Sequence, residues 1–599
     1  MIKKGTNAMT VRETETDVLV VGAGGGGFRA AIEARERGAK VLLISKGPLA
    51  RCGATCLAGA DLTADGQGLA EIGFPGEPRD TKKTWFSDIV HQGFFLNNQR
   101  LVEIYVQDAV QRVKELLDWG IKVRSSEQRA IYTTGTSIAD ALLRKARAVG
   151  VETAEDIMVL DLLLKDAQVV GAVGLDIHSG EFVVFKAKAV VLATGGWHKA
   201  YTPTTGTMEL SGDGVAMACR AGAELANMEF VTFCCNILLW PPRWRGSLFT
   251  YILHTLVGGT LTNREGERFL DKYDPTMVRI GTSTEWNKGF VSFVSAQEIR
   301  AGKGSPHGGV FYGVEPGAWD GFDSRVTAHY PNWHYKGMDF SELRKMLREG
   351  EPVEVGPAVE YFEGGIAVNE RFETSLPGLC AAGECTAALF GANRVSAATT
   401  EMLVTGALAG RFAAEHAHKA GPPEFDSEVV RALEARTMQP LLRQEGVTPG
   451  ELKRRVQEMA HEKLGPVRTE GEIREFIAFL EEVKKDGLPR LCTRAKERRY
   501  NRDWVEALEL ENMVQVLEVS ARSALARTES RGVHYRADYP QTDNDRWLRE
   551  IVIRRVDDTF CMDSRPVVVT TLTPPKGVTP FLEMMKRMME AHSDVGGHH

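Results

Sequence analysis

The sequence predicts an α/β chain: a Rossmann-like dinucleotide-binding domain interrupted by an insertion, then a helical domain and a small β-containing C-terminal region. Three observations predict it. A Val-rich apolar run ends in glycines at the turn spacing of a βαβ unit; the mixed short elements between 228 and 350 do not continue that sheet; charged periodic helices follow Pro422-Pro423. The expected domains are 10–227 and 351–421 for the two parts of the nucleotide-binding domain and 228–350 for the insertion. The helical domain is expected over 422–545 and the C-terminal region over 546–599.

The first element is Asp17-Val18-Leu19-Val20-Val21, read as a buried parallel strand. Gly22, Gly24 and Gly27 fall on a G-x-G-x-x-G turn that also holds Gly25, and a helix with an Ala30, Ala31, Ala34 face runs to Gly38. Gly22 permits the tight turn, Gly24 lets backbone approach a pyrophosphate at the helix N-terminus, and Gly27 lets helix pack on strand. A second apolar strand, 40–45, completes the unit. An NAD site usually closes that strand with an acid for the ribose, whereas here it ends in Ser45-Lys46, which favours FAD. The small residues Cys52, Gly53, Ala54, Thr55 and Gly59 then let a planar ring lie against backbone.

Residues 101–117 carry apolar side chains at helical spacing, and 138–143 begin another helix. The segments 157–164, 169–175 and 181–185 read as a β-meander returning to a buried strand at 189–192, which ends in Thr194-Gly195-Gly196. From Met228 to Gly350 aromatics and prolines such as Trp240-Pro241-Pro242 mark loops and short elements. A third strand ends in Gly383-Glu384. Amphipathic helices are expected over 429–442, 449–464, 470–485 and 505–525, and the tail 551–571 reads as β.

These three glycine-ended strands, followed by Gly391-Ala392-Asn393-Arg394, resemble the flavoprotein subunit of succinate dehydrogenase and fumarate reductase. So do Glu529-Ser530-Arg531-Gly532-Val533-His534 and Arg565-Pro566-Val567 near the end. The resemblance covers nearly the whole chain and implies that the insertion is a capping domain. It also implies FAD contacts from Asp213, Glu384, Arg394, Ala397 and Thr399.

The substrate site departs from that family. Arg394 matches the substrate-clamping arginine, and its fork suits a carboxylate, thioester carbonyl or phosphate. The family's His-Pro-Thr site corresponds to Val231-Thr232-Phe233, its second His to Glu360, and its Thr-Glu pair to Tyr251-Ile252. Its proton-shuttle Arg corresponds to Lys288, with Arg279 a second candidate; Lys288 reads equally as a solvated loop lysine. Tyr251, His254, Phe230 and Phe362 are expected to line an apolar pocket. The flavin-linking His corresponds to Cys52, so non-covalent FAD is expected.

Composition bounds the rest. The chain has 599 residues, 43% hydrophobic and 26% charged, enough for several domains. Its net charge of −7 argues against nucleic acid. With no apolar run of about 18 residues and no signal-type start over 1–6, a cytoplasmic location is expected, with any membrane association through partners. Nine scattered cysteines predict no metal or cluster site of its own. The resemblance therefore implies a partner, an iron-sulfur subunit, docking on a helical domain that carries Arg494-Ala495-Lys496-Glu497-Arg498-Arg499. Heterodisulfide-reductase-like or membrane subunits are further candidates, in an anaerobic setting. Two functional readings stand: a dehydrogenase or reductase acting on something larger and less charged than succinate, or an electron-transfer subunit with a decayed site. An adenylylsulfate-reductase-like reaction is more distant.

Overall fold

The computed structural model describes residues 11–591 except 60, 250–254, 283–285, 336, 388, 395–397 and 558. Its central sheet sets Val41–Ile44, Val11–Val21 and Phe182–Leu192 parallel and side by side, with Glu152–Ala154 on one edge. Residues 18–21, 41–44 and 189–192 of these strands are buried, which is why they read as continuous apolar runs. The other side of Phe182–Leu192 is shared. Its first half pairs with the antiparallel strand Gln168–Asp176, and its last three residues pair with the parallel strand Leu379–Ala381. That one long strand lets the chain leave the sheet after Leu192 and rejoin it beside the same glycine turns.

The helix Gly25–Glu36 packs on Ala398–Lys419 at close range. A Cβ on Gly410 would lie 2.2 Å from Ala30 O, and one on Gly406 would lie 2.5 Å from Gly26 O, so larger residues would push the helices apart.

The insertion folds around an antiparallel sheet in the order Val231–Trp240, Val353–Phe362, Val310–Val314, Gly259–Thr262. This corrects the boundary expected at 350. The strand Val353–Phe362 belongs to the inserted sheet by its pairing with Val231–Trp240, a long-range contact that no local pattern announces. The correction matters for function, because this strand carries Glu360 and Tyr361.

Four helices, Ser427–Leu442, Pro449–Lys463, Glu470–Glu482 and Arg502–Ala526, form the helical region. The last is not amphipathic as expected; it is buried on most faces. Its buried acids are neutralised, Glu509 from outside by Lys46 and Lys199, and Glu518 by Lys484 and by Arg522 one turn along the same helix. Beyond it, fully buried Arg527 reaches Glu229 at 2.6 Å and Glu529 at 2.9 Å, tying the start of the insertion to the helical region. The tail is a β-hairpin, Arg549–Val556 with Thr559–Pro566, but it ends in an unanticipated helix, Phe581–Ala591. Met584, Met585, Met588 and Met589 bury one face of that helix against Lys82–Gln92 and Pro275–Gly281. Among the described residues no helix is long and apolar enough to cross a membrane.

Candidate active site

The glycine turn fits a dinucleotide phosphate. Gly22 has φ +105°, and a Cβ there would lie 2.3 Å from Ala193 O; a Cβ on Gly27 would lie 1.7 Å from Gly22 O. Both positions therefore exclude side chains. Gly24 caps the helix Gly25–Glu36 in extended conformation, and its nearest neighbour would be Thr55 Oγ1 at 3.5 Å, so it faces open space. Thr55 Oγ1 accepts a hydrogen bond from Gly25 N at 2.9 Å and fixes the segment 53–59 over this helix end.

The expected cofactor residues gather here, with different tasks. Lys46 Nζ lies 2.7 Å from each of Ser211 Oγ, Asp213 Oδ2 and Glu509 Oε1. Burial alone would raise the Asp213 carboxyl, but Lys46, Asn512 and Ser211 hold it below its usual value, so it is a carboxylate acceptor. Thr194 Oγ1 accepts from Gly214 N, with Gly195 and Gly196 packed beside Glu384. Thr399 donates to Asp61 O and is occupied within the fold. Ser45 is buried with its Oγ 3.4 Å from Cys52 Sγ. Ala397 lies outside the described residues.

Burial raises the Cys52 thiol above its ordinary range, so it is not a ready nucleophile. Denaturing the purified holoprotein with acid is therefore expected to release all FAD into the supernatant; flavin fluorescence on the polypeptide band would contradict non-covalent binding.

The substrate-side residues meet around Glu360. Lys288 is not a solvated loop lysine: it lies in the first turn of the helix Asn287–Glu298, 7% exposed, with Nζ 2.9 Å from Glu360 Oε2. Arg394 Nη2 lies 3.7 Å from the same oxygen. The Arg394 guanidinium stacks over the Tyr361 ring at 4.6 Å, and Tyr361 OH donates to Glu401 Oε2 at 2.7 Å. Arg394 N donates to Glu363 Oε1 at 3.3 Å, and the Thr232 hydroxyl donates to that oxygen as well. His198 Nε2 lies 2.8 Å from Glu360 O, which makes that nitrogen the donor.

Charge in this pocket is governed by burial. It pushes the Glu363 and Glu384 carboxyls up to about 8 and Glu401 up to about 7, against the opposing pull of Arg394. It lowers His198 to about 4, so that ring is neutral. Among the described residues Glu360 is thus an ion-paired acid beside carboxyls inclined to keep their protons. Cys235, fully buried, is close enough to feel the charges of Glu360 and Lys288.

Not every expected residue joins the site. Arg279 is exposed in the last turn of Pro275–Gly281 and is not in the cluster. Phe230 packs against Arg527 and His534, and Phe362 stacks on Trp197 at 3.8 Å rather than lining an open pocket. Tyr251, Ile252 and His254 lie outside the described residues. Conversely, His198, Cys235, Tyr361, Glu363 and Glu401 were not expected. Only Glu363 carried a local signal, an acid within the apolar run Tyr361-Phe362-Glu363-Gly364-Gly365.

Comparison with known proteins agrees with this architecture. Residues 17–400 match an FAD binding domain family and 453–579 match the fumarate reductase flavoprotein C-terminal family. The chain is 32% identical over 564 residues to a fumarate reductase (CoM/CoB) subunit of Methanothermobacter marburgensis, covering 90% of this chain and 97% of that one. It superposes on Mycobacterium smegmatis Sdh1, solved in complex with UQ1, with TM-score 0.81 and 31% identity over 94% of this chain and 96% of that one. A likeness to adenylylsulfate reductase of Archaeoglobus fulgidus, TM-score 0.76 at 21% identity and covering 94% and 98%, shows the fold alone.

Proposed function

Because this chain belongs to the flavoprotein family of fumarate reductases and succinate dehydrogenases, FAD-dependent oxidoreductases, we propose that it interconverts a saturated and an unsaturated acyl compound larger and less charged than succinate. Bound FAD supplies or accepts the hydride. The observation that carries the substrate class is the place of Glu360, whose carboxylate sits between Lys288 and Arg394. It uses one cation and leaves Arg394 to hold a single anionic group, and it repels the second carboxylate of a dicarboxylate.

In this reading each residue has a defined task. Arg394, held by Tyr361 below and by its backbone bond to Glu363, orients the anionic end of the substrate. Lys288 delivers or takes the proton at the carbon next to the reacting one, and Glu360 keeps its ammonium in place between turnovers. His198 fixes Glu360 through the backbone carbonyl.

The reading extends to a partner. A two-electron flavin on a chain without a cluster cysteine run needs a one-electron outlet, and the relative from Methanothermobacter is itself named as a subunit. A separately encoded iron-sulfur protein fits that need. Of the basic run 494–499, Arg494, Lys496 and Arg499 are exposed, although Lys496 also donates to Arg443 O and Arg498 packs on Gly180.

The test is turnover with reduced viologen. Fumarate should react far below an ordinary enzymatic rate of about 10 s⁻¹, while a monocarboxylic enoate or enoyl thioester reoxidises the flavin. Fumarate turnover near that rate would overturn the substrate class. Flavin unresponsive to every acyl compound, but reoxidised by a copurifying iron-sulfur protein, would favour a pure electron-transfer subunit.

A further inference from the structure

Two buried side chains beside Arg394 have polar groups that no described residue pairs. Glu363, 2% exposed, accepts both of its bonds on Oε1, from the Thr232 hydroxyl and from Arg394 N at 3.3 Å. Its Oε2 has no hydrogen-bond partner among the described residues. Asn393, 1% exposed, is the next residue in the chain to Arg394, and neither its amide oxygen nor its amide nitrogen has a partner among them. Buried polar groups are nearly always paired, so three orphaned atoms on two neighbouring side chains call for a ligand group or water.

Their position and chemistry narrow the choice. Asn393 Oδ1 lies 4.0 Å from where a Cβ of Gly289 would sit, next to Lys288 on the same helical turn. Asn393 thus adjoins the turn that carries Lys288, and both orphaned side chains adjoin the backbone of Arg394. An acid whose one oxygen takes two donors carries its proton on the other oxygen, and burial favours the acid form of Glu363 at neutral pH. Glu363 Oε2–H and Asn393 Nδ2–H are therefore two donors without acceptors, suited to an oxygen that is neutral in the ground state and gains charge during reaction.

We propose that Glu363 and Asn393 form a second subsite that binds the neutral carbonyl oxygen of a substrate whose carbonyl is conjugated with the reacting carbon–carbon double bond. The proposal rests on the function proposed above and specifies its substrate: one anionic group for Arg394 and one ketone, ester, amide or thioester carbonyl for Glu363 and Asn393. In the reducing direction FAD would supply the hydride, and as the C–H bond β to that carbonyl forms, the π pair moves onto the carbonyl oxygen. Glu363 and Asn393 hold that developing charge. The pair then returns to form the α C–H bond with the proton from Lys288; dehydrogenation is the reverse, the α proton returning to Lys288 and the β hydrogen leaving as a hydride that FAD would accept.

Monomethyl fumarate carries one carboxylate and one conjugated ester, and benzoate carries a carboxylate alone, so they serve as probes on the oxidised holoprotein. Affinity is read from perturbation of the flavin absorbance, and hydrogen bonding from the ester C=O stretch in difference infrared spectra. The expected result is a downshifted ester stretch in the native protein, retained in Glu363→Gln, whose amide N–H replaces the acid O–H. In Glu363→Met the shift should vanish and monomethyl fumarate should lose roughly tenfold more affinity than benzoate, whose own change reports any loosening of Arg394. An unshifted ester band in the native protein, or the same shift in Glu363→Met, overturns the subsite while leaving the Arg394 carboxylate site standing. If neither probe perturbs the flavin in any of the proteins, the acyl-substrate reading itself falls and takes the subsite with it.

Discussion

Gly24→Asp is expected to give a folded, colourless protein. Gly24 is the N-cap of Gly25–Glu36, its backbone is extended, and a Cβ would meet nothing closer than Thr55 Oγ1 at 3.5 Å. An aspartate is a good N-cap residue, so the helix should tolerate the change. The same carboxylate would occupy the helix end where the FAD pyrophosphate is bound, and close like charges cost several kcal/mol, roughly a thousandfold or more in affinity. Gly27→Ala makes a contrasting control. Its Cβ would lie 1.7 Å from Gly22 O, so that variant should lose both flavin and folded structure. The 450 nm absorbance of purified protein and its far-ultraviolet circular dichroism separate the two outcomes. A yellow Gly24→Asp protein would show that the phosphates do not lie at this helix end.

The contrast between those glycines shows what a sequence can carry. The turn Gly22 to Gly27 was legible because its chemistry is local: strand, tight turn and helix are consecutive, Gly22 and Gly27 answer clashes with adjoining backbone, and Gly24 leaves the helix end open. Arg394, Lys288 and Glu360 were legible only through the resemblance, and their ion-pair geometry was not legible at all, since it joins a helix of the insertion, its last strand and a loop of the returning FAD domain. Arg279 and Lys288 were alternatives in sequence; burial separates them, one exposed and one nearly enclosed. The fate of Val353–Phe362 has the same cause, because an apolar run names a strand and not its neighbour. The helix Arg502–Ala526 misled in the opposite way. Its charges read as a solvated face, but Glu509 and Glu518 are buried against lysines from distant segments, with Arg522 of the same helix also on Glu518.

Lys288→Met should remove turnover for a reason that a second substitution can isolate. In the native protein Lys288 and Glu360 are 7% and 9% exposed in their side chains and 2.9 Å apart, so the pair is effectively desolvated. Removing one partner of such a pair costs about 3–5 kcal/mol, because the other is left charged and buried. Arg394 at 3.7 Å recovers part of that, and the single variant should fold with a lowered thermal midpoint. The double variant Lys288→Met with Glu360→Gln removes both charges and should regain most of the lost stability. Reaction should not follow stability. Loss of a positioned proton donor lowers the rate by about 10² to 10⁴, and the double variant still lacks one, so reoxidation of reduced flavin by an accepted enoate should stay slow in both. Lys288→Arg keeps the charge and a donor, and should fall between. The decisive comparison is the double variant: if its flavin reoxidation returns together with its thermal midpoint, Lys288 serves only to neutralise Glu360, and the proton reaches the substrate by another group.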